Sequence, residues 1–342
     1  MKKLANWKKV SAFLLAAVLA VSGFAAVSVY AAGKIDFSQK AVLKVDLSGN
    51  SYKELKQNSV DVKLYKVADV DENGKYISLI DSLDLSGISD KTTASEWKEM
   101  SENAAEDKLL EAMDVKTAEI TDGTYANVEF DGENDEFGMY LMVVEPVETD
   151  SFAYSFAPSL VAVPGNNYYS YDADGTAQPS GADDSWVYDN LVAYLKPEFL
   201  ELYGNLEIVK TLDTFNTSLN ETSFVFEVQA YKDYSDVDEF TGEKLVYSNV
   251  VSLDFDGASA SGKKLTIEGI PAGAVVTVTE VYSGATYYAS AGETAQTTIV
   301  KDGTVSVDFA NGYDDTLTGN GTAVINEFSY TDGDWNWSPA AE

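Results

Sequence analysis

The chain of 342 residues carries 56 acidic against 23 basic side chains, a formal net charge of −33, with no cysteine and no histidine. Such acidity argues against nucleic acid as a partner, because phosphate binding needs a positive surface. Lacking both residue types, the chain has no disulfides, no Ser-His-Asp or Cys-His catalysis and none of the usual zinc or copper sites, so paired carboxylates and oxygen-ligated calcium are the chemistries left.

Residues 1–31 read as a secretory signal peptide. Lys2, Lys3, Lys8 and Lys9 precede an apolar run from Val10 to Tyr30, and Val29-Tyr30-Ala31 offers small residues for cleavage. Removing those four lysines takes the net charge from −33 to about −37. No later apolar run reaches the length of a membrane span, so no membrane span is expected after cleavage. The mature protein is expected to be secreted and extracellular, and its roughly 310 residues predict two domains.

The first domain is expected over residues 32–198. It opens with the β-rich runs Ala41-Val42-Leu43-Lys44-Val45-Asp46-Leu47 and Val60-Asp61-Val62-Lys63-Leu64-Tyr65-Lys66-Val67. Between Asp69 and Gly74 the acids and amides alternate as in a calcium loop, but the twelfth position is Ile80 where a bidentate glutamate is required. A hairpin turn is the better reading, with no metal and no cofactor. Residues 92–113 carry a helical pattern: Thr93 and Glu96 suit a capping box, and Trp97, Met100, Ala104 and Met113 share one face. This inserted helix should cover one end or face of an otherwise all-β domain. Further strands follow at residues 126–130, 137–146 and 158–164, then an exposed loop over 168–185 and a short link over 197–203.

The second domain, residues 204–315, holds the pattern with chemical content. Leu206, Ile208 and Lys210 alternate with Glu207, Val209 and Thr211, so a lysine shares a strand face with two aliphatic residues. Glu280 closes the run Val275-Val276-Thr277-Val278-Thr279, and Asn311 closes Val305-Ser306-Val307-Asp308-Phe309-Ala310. Buried charges cost several kcal/mol each unless paired or neutralised. Burial lowers a lysine pKa and raises a glutamate pKa. A neutral amine beside a carboxamide, assisted by a protonated carboxyl, can attack it and expel ammonia, leaving an intramolecular isopeptide bond. The plain alternative for each residue is an edge-strand lysine, a rim glutamate and an Asn-Gly turn. Residues 316–342 form a tail in which 322–328 could add one more strand.

The ordered motifs Ile208-Val209-Lys210-Thr211, Val278-Thr279-Glu280 and Val307-Asp308-Phe309-Ala310-Asn311-Gly312-Tyr313 resemble the B-type collagen-adhesin (CnaB-like) and pilin domains of Gram-positive surface proteins. The resemblance implies two tandem immunoglobulin-like or prealbumin-like β-sandwich domains, with Lys210 and Asn311 as the cross-linked pair and Glu280 as the catalytic acid. In the first domain Gly138-Met139-Tyr140 with Glu145-Pro146 is similar to the glutamate strand of that family. There Glu145 would be the counterpart of Glu280, with Lys44 and Asn190 as cross-link partners. The run Trp186 to Pro197 partly matches a pilin motif, which makes Lys196 a candidate acceptor for sortase-catalysed joining.

The leading functional reading is therefore a secreted structural protein of the cell surface or fimbrium: a pilin-like or adhesin-stalk subunit, no enzyme beyond a single self-directed turnover. Its partners would be other pilin subunits or a sortase-assembled shaft, with a host or matrix ligand as a further partner. The chain shows no Leu-Pro-x-Thr-Gly signal, so it is expected to act as acceptor only. The rival reading is a secreted carbohydrate- or matrix-binding β-sandwich without isopeptide bonds.

Overall fold

The computed structural model describes residues 33–313, apart from 49–51, 89–91, 167–168, 172–176, 180–184, 216–220, 236, 238–241, 257–261 and 285, together with 326–331 and 334–339. The expected signal peptide lies outside the described residues. The chain divides into two compact units, one of residues 1–201 with 235–240, the other of 202–234 with 241–342.

In the first unit the elements run β1 (Lys40–Asp46), α1 (Lys53–Lys56), β2 (Val60–Val70), β3 (Tyr76–Ser78), α2 (Ala94–Ala105), β4 (Val115–Ile120), β5 (Tyr125–Asp131) and β6 (Gly138–Val144). They continue through β7 (Val147–Glu148), β8 (Phe152–Phe156), β9 (Ser159–Val163), β10 (Gly165–Asn166), β11 (Tyr169–Tyr171), β12 (Ala177–Pro179), β13 (Trp186–Val187), β14 (Leu191–Tyr194) and β15 (Pro197–Glu201). One sheet has the order β14-β1-β5, with β14 parallel to β1. The larger has the order β3-β2-β6-β9, with β4 also on β2. Phe130 of β5 meets Tyr140 of β6 edge-on, ring centroids 4.8 Å apart, which ties the two sheets through a shared core.

β6 is buried along almost its whole length because both of its faces are covered. Tyr140 points to the facing sheet, whereas Met139 and Leu141 join a cluster with Trp97 and Ala104 of α2. Helix α2 carries the expected capping box: Glu96 N donates to Thr93 Oγ1 and Thr93 N to the Glu96 carboxylate. The helix is shorter than the sequence pattern, and its last part becomes a separate 3₁₀ turn at Lys108–Ala112 capped by Asp107. Asp69 to Gly74 forms a turn between β2 and β3, with Asp71 accepting from Asn73 N and Lys75 N. The carboxylates are thereby spent on the turn and on the ion pairs Lys66–Asp69 and Lys34–Glu72.

Two expectations for this unit need correction. Residues 197–201 are not a link but strand β15, antiparallel to β8, where Phe199 stacks edge-on with Phe152 at 5.3 Å. The expected loop over 168–185 contains the short pair β11–β12, and β13 at its end pairs with β10.

The second unit is a sandwich of two four-stranded sheets. Its elements are β16 (Tyr203–Leu212), β17 (Glu221–Asp233), β18 (Glu243–Asp256), β19 (Lys263–Pro271), β20 (Val275–Tyr282), β21 (Tyr287–Ala289), β22 (Thr294–Thr298) and β23 (Thr304–Tyr313). The sheets have the orders β19-β16-β23-β21 and β18-β17-β20-β22. Strict alternation builds the core: Phe224, Phe226, Val228 and Ala230 point inward from β17, Val276 and Val278 from β20, Leu206 and Ile208 from β16. The tail contributes a hairpin of β24 (Asn326–Thr331) and β25 (Asp334–Pro339), which pair with each other.

Candidate functional site

Strand β16 lies in the middle of its sheet, so both of its backbone edges are paired and its inward side chains have no route to water. Its inward series is Leu206, Ile208, Lys210, Leu212, and the third member is a lysine with no exposed surface. The parallel neighbour β23 sets Phe309 beside Lys210 and Asn311 beside Leu212. From the facing sheet β20 continues its inward series Val276, Val278 with Glu280. Lysine and asparagine thus come from adjacent strands of one sheet and the glutamate from the other, and the three meet inside the sandwich.

The contacts are direct. Lys210 Nζ donates to Glu280 Oε2 at 2.9 Å and to Asn311 Oδ1, and Asn311 Nδ2 donates to Glu280 Oε1 at 2.6 Å. Neither the lysine nor the glutamate side chain has accessible surface. Burial pulls the Lys210 amine below the ordinary lysine range, while the hydrogen bond and charge of Glu280 work in the opposite direction. Phe224 and Phe226 of β17 close the pocket, with Lys210 Nζ 4.6 Å and 6.0 Å from their ring centroids. Sequence reasoning left these two rings out of the site, although the alternation of β17 already places them on one face. They exclude water around the amine, to which Glu280 is hydrogen-bonded and on which Asp213 acts as a further negative charge.

A β-bulge sits beside the glutamate. Phe226 pairs with Glu280 but Val225 pairs with Tyr282, so Val281 is the extra residue. The strand alternates up to Glu280, after which Val281 and Tyr282 are both exposed. The bulge ends the inward series at the carboxyl group, so no further side chain of β20 follows it into the core.

Among the described residues the first unit has no such triad, and the structure does not bring Lys44, Glu145 and Asn190 together as expected. Lys44 lies on the outer face of β1, between the buried Leu43 and Val45, where it pairs with Asp46 at 2.5 Å and sits over the Tyr125 ring. Glu145 lies one residue beyond the end of β6, about half exposed, and pairs with Lys63 at 2.6 Å. Asn190 is exposed and holds a left-handed backbone, φ 62°, just before β14. The physical reason is register: Lys44 stands one position away from the inward series Ala41, Leu43, Val45. Lys196 lies between β14 and β15 with an exposed side chain, and partial loss of water around it lowers its amine below the ordinary lysine range.

Among the described residues, no group of three or more acidic side chains is placed to hold a metal ion, and no helix is long and apolar enough to cross a membrane.

Residues 206–314 match a family described as a domain of unknown function, DUF5979. No curated protein matches the chain in sequence. The solved structures to which it is similar are Gram-positive pilins and adhesins. GBS52, the minor pilin of Streptococcus agalactiae, is 14% identical over 81% of this chain and 97% of that one, with a TM-score of 0.24. A streptococcal ancillary pilin is 15% identical over 80% and 69%, with a TM-score of 0.25. An adhesin of Mobiluncus mulieris, containing intramolecular disulfide, isopeptide and ester bond cross-links, is 15% identical over 80% and 99%, with a TM-score of 0.27. At TM-scores this low the likeness is loose, and the site rests on its own geometry.

Proposed function

We propose that this chain is a structural protein of the bacterial surface, pilin-like or part of an adhesin stalk, whose second unit cross-links itself through an isopeptide bond between Lys210 and Asn311. The observation that carries the reading is that one buried carboxyl group, Glu280, contacts both the nitrogen that would enter, Lys210 Nζ, and the nitrogen that would leave, Asn311 Nδ2. Glu280 takes a proton from the lysine ammonium, and the neutral amine attacks Asn311 Cγ. The proton then passes from Glu280 to Nδ2, which departs as ammonia, and the attacking nitrogen gives its second hydrogen to the Glu280 carboxylate, which ends protonated. Lysine amine and asparagine amide are converted to a secondary amide and ammonia, with no outside reactant. The surrounding Phe224 and Phe226 keep water from competing for the carbonyl.

The bond closes a loop of 101 residues between two strands that are already parallel neighbours. By the chain-entropy argument for cross-links, this stabilises the fold by about 4 to 5 kcal/mol. It also ties the first strand of the sandwich to its last, so tension on the chain is carried by covalent bonds rather than by shear of the sheet. Such a tie suits a protein exposed to force and proteases outside the cell.

Purified protein digested with trypsin should yield a branched peptide joining the segments around Lys210 and Asn311. A Glu280→Ala variant should yield the two segments separately and be degraded sooner. Separate segments from the unmodified chain would remove the proposal. For assembly, the exposed Lys196 amine is the acceptor we propose. Incubation with a sortase and a signal-bearing shaft pilin should give a single conjugate whose branch maps to Lys196, and a branch at another lysine would refute that assignment.

A further inference from the structure

Asn311 is followed by Gly312, and an Asn-Gly pair has a second reaction open to it. The glycine backbone nitrogen, unhindered by any Cβ, can attack Asn311 Cγ and expel ammonia to give a cyclic succinimide, which water opens to aspartate or isoaspartate. That route consumes the same carboxamide that Lys210 needs, so what restrains it decides whether the cross-link can form.

The structure shows an unusually complete restraint at this dipeptide. Asn311 has no exposed surface and Gly312 is buried. On one side β16 pairs with the strand, and Asp213 N donates to Asn311 O at 3.0 Å. On the other side the three-residue strand β21 sets Ala289 opposite Asn311 and Tyr288 opposite Gly312. Just beyond, both the backbone nitrogen and the hydroxyl of Ser290 donate to Ala310 O at 2.9 Å. The Tyr288 ring lies directly over the glycine: a Cβ added at Gly312 would stand 2.5 Å from Tyr288 Cζ and Oη and 3.0 Å from Cε1. For the Gly312 nitrogen to reach Asn311 Cγ the peptide must rotate out of the extended conformation, into the space that this ring fills and against hydrogen bonds on both edges. Tyr288 itself is 48% exposed, so burial of an apolar side chain does not account for its place.

We propose that Tyr288, carried by β21, is a specificity-determining residue that closes the succinimide route at Asn311-Gly312 and so reserves the carboxamide for Lys210. The inference rests on Asn311 being the reactive amide of the proposed cross-link, but the protection itself stands whether or not that bond forms. The pair Asn73-Gly74, in the turn before β3, is covered in a similar way: Gly74 is buried, its nitrogen donates to Asp71 O at 3.0 Å, and a Cβ added there would stand 2.6 Å from the Trp186 ring, so the unprotected comparison is a free peptide carrying the Asn311-Gly312 sequence.

The test uses the full chain carrying Lys210→Met, in which no isopeptide can form, so that its outcome is separate from that of the cross-link. After ageing at mildly alkaline pH, peptide mapping should find Asn311 intact under conditions in which a synthetic peptide of residues 307–313 is converted to aspartate and isoaspartate. Adding Tyr288→Ala should raise conversion at Asn311 severalfold, towards that of the free peptide, while Tyr288→Phe, which keeps the ring, should leave it protected. Hydrogen exchange followed in the same samples should show loss of protection confined to β21 and the end of β23. Conversion of Asn311 at the rate of the free peptide with Tyr288 in place would overturn the proposal. So would an Asn311 that stays intact in Tyr288→Ala, or conversion accompanied by loss of protection throughout β17, which would mean that the unit had unfolded.

Discussion

Both units contain a strand with a parallel neighbour drawn from the far end of the unit: β1 with β14, and β16 with β23. Both of the earlier strands carry a lysine near the middle or end of an aliphatic run. In β16 the lysine belongs to the inward series and is enclosed; in β1 it belongs to the outward series and pairs with Asp46 at the edge of solvent. A single residue of register separates a buried amine facing an amide and a carboxyl from an amine that reaches solvent and pairs with the nearly buried Asp46. Strand pairing alone therefore does not make a cross-linking site; the lysine must also fall on the core face, with a carboxyl arriving from the opposite sheet.

The largest expected effect comes from removing the amine. Lys210→Ala should abolish the cross-link and with it about 4 to 5 kcal/mol of stabilisation, and it leaves a cavity where the buried lysine side chain stood. Thermal unfolding of the second unit should drop accordingly, whereas Lys44→Ala should lower the first unit's transition by much less, because Asp46 keeps the Ser48 nitrogen and hydroxyl as donors. Equal effects of the two changes would break the comparison.

The converse change moves a lysine of the first unit onto the core face. Val45 is fully buried, and the β6 side chains nearest the shared core are Tyr140, Met142 and Val144, none of them a carboxyl. Val45→Lys should therefore destabilise the first unit by several kcal/mol and form no cross-link. Denaturant titration with a probe in each unit would show whether the loss is confined to the first.

A smaller effect should appear in the pH dependence of a protein that cannot complete the bond. In Asn311→Ala, burial keeps the folded-state pKa of Lys210 below its ordinary value of 10.5. Between the folded and the ordinary value the unfolded chain holds more protons, so stability should rise as pH increases through that window. A Lys210→Met/Asn311→Ala control should lack this contribution, and no difference in slope between the two would contradict the account of the amine.

The smallest concerns Asn190, whose left-handed backbone suits asparagine or glycine. Asn190→Ala should cost about 1 kcal/mol through backbone strain, and Asn190→Gly less. Neither should change the mass deficit relative to the variant's own sequence, because this exposed asparagine serves as a turn residue and not as a cross-link partner.

Much of the second unit was legible because every relevant feature is an alternation. Leu206, Ile208 and Lys210 share a face by counting in twos, and Val276, Val278 and Glu280 do the same. The facing of the two sheets and the parallel placement of β23 beside β16 are tertiary facts that no local pattern carries. The same counting places Lys44 with Val42 and Asp46, away from Leu43 and Val45; motif similarity around Glu145 outweighed it, and the structure sides with the counting. Residues 197–203 read as a link because they open with a proline between the two β-patterned regions, yet an edge strand tolerates proline at its first position. The roles of Phe224, Phe226 and Tyr288 depend on what lies across the core or across a strand pair, which sequence periodicity does not report.

The most direct measurement is the intact mass of the purified mature protein by high-resolution mass spectrometry. One cross-link in the second unit and none in the first predicts a mass below that of the processed sequence by a single ammonia, restored in full by Lys210→Ala. A deficit of two ammonias would contradict the difference drawn between the units, and a mass equal to that of the sequence would contradict the cross-link itself.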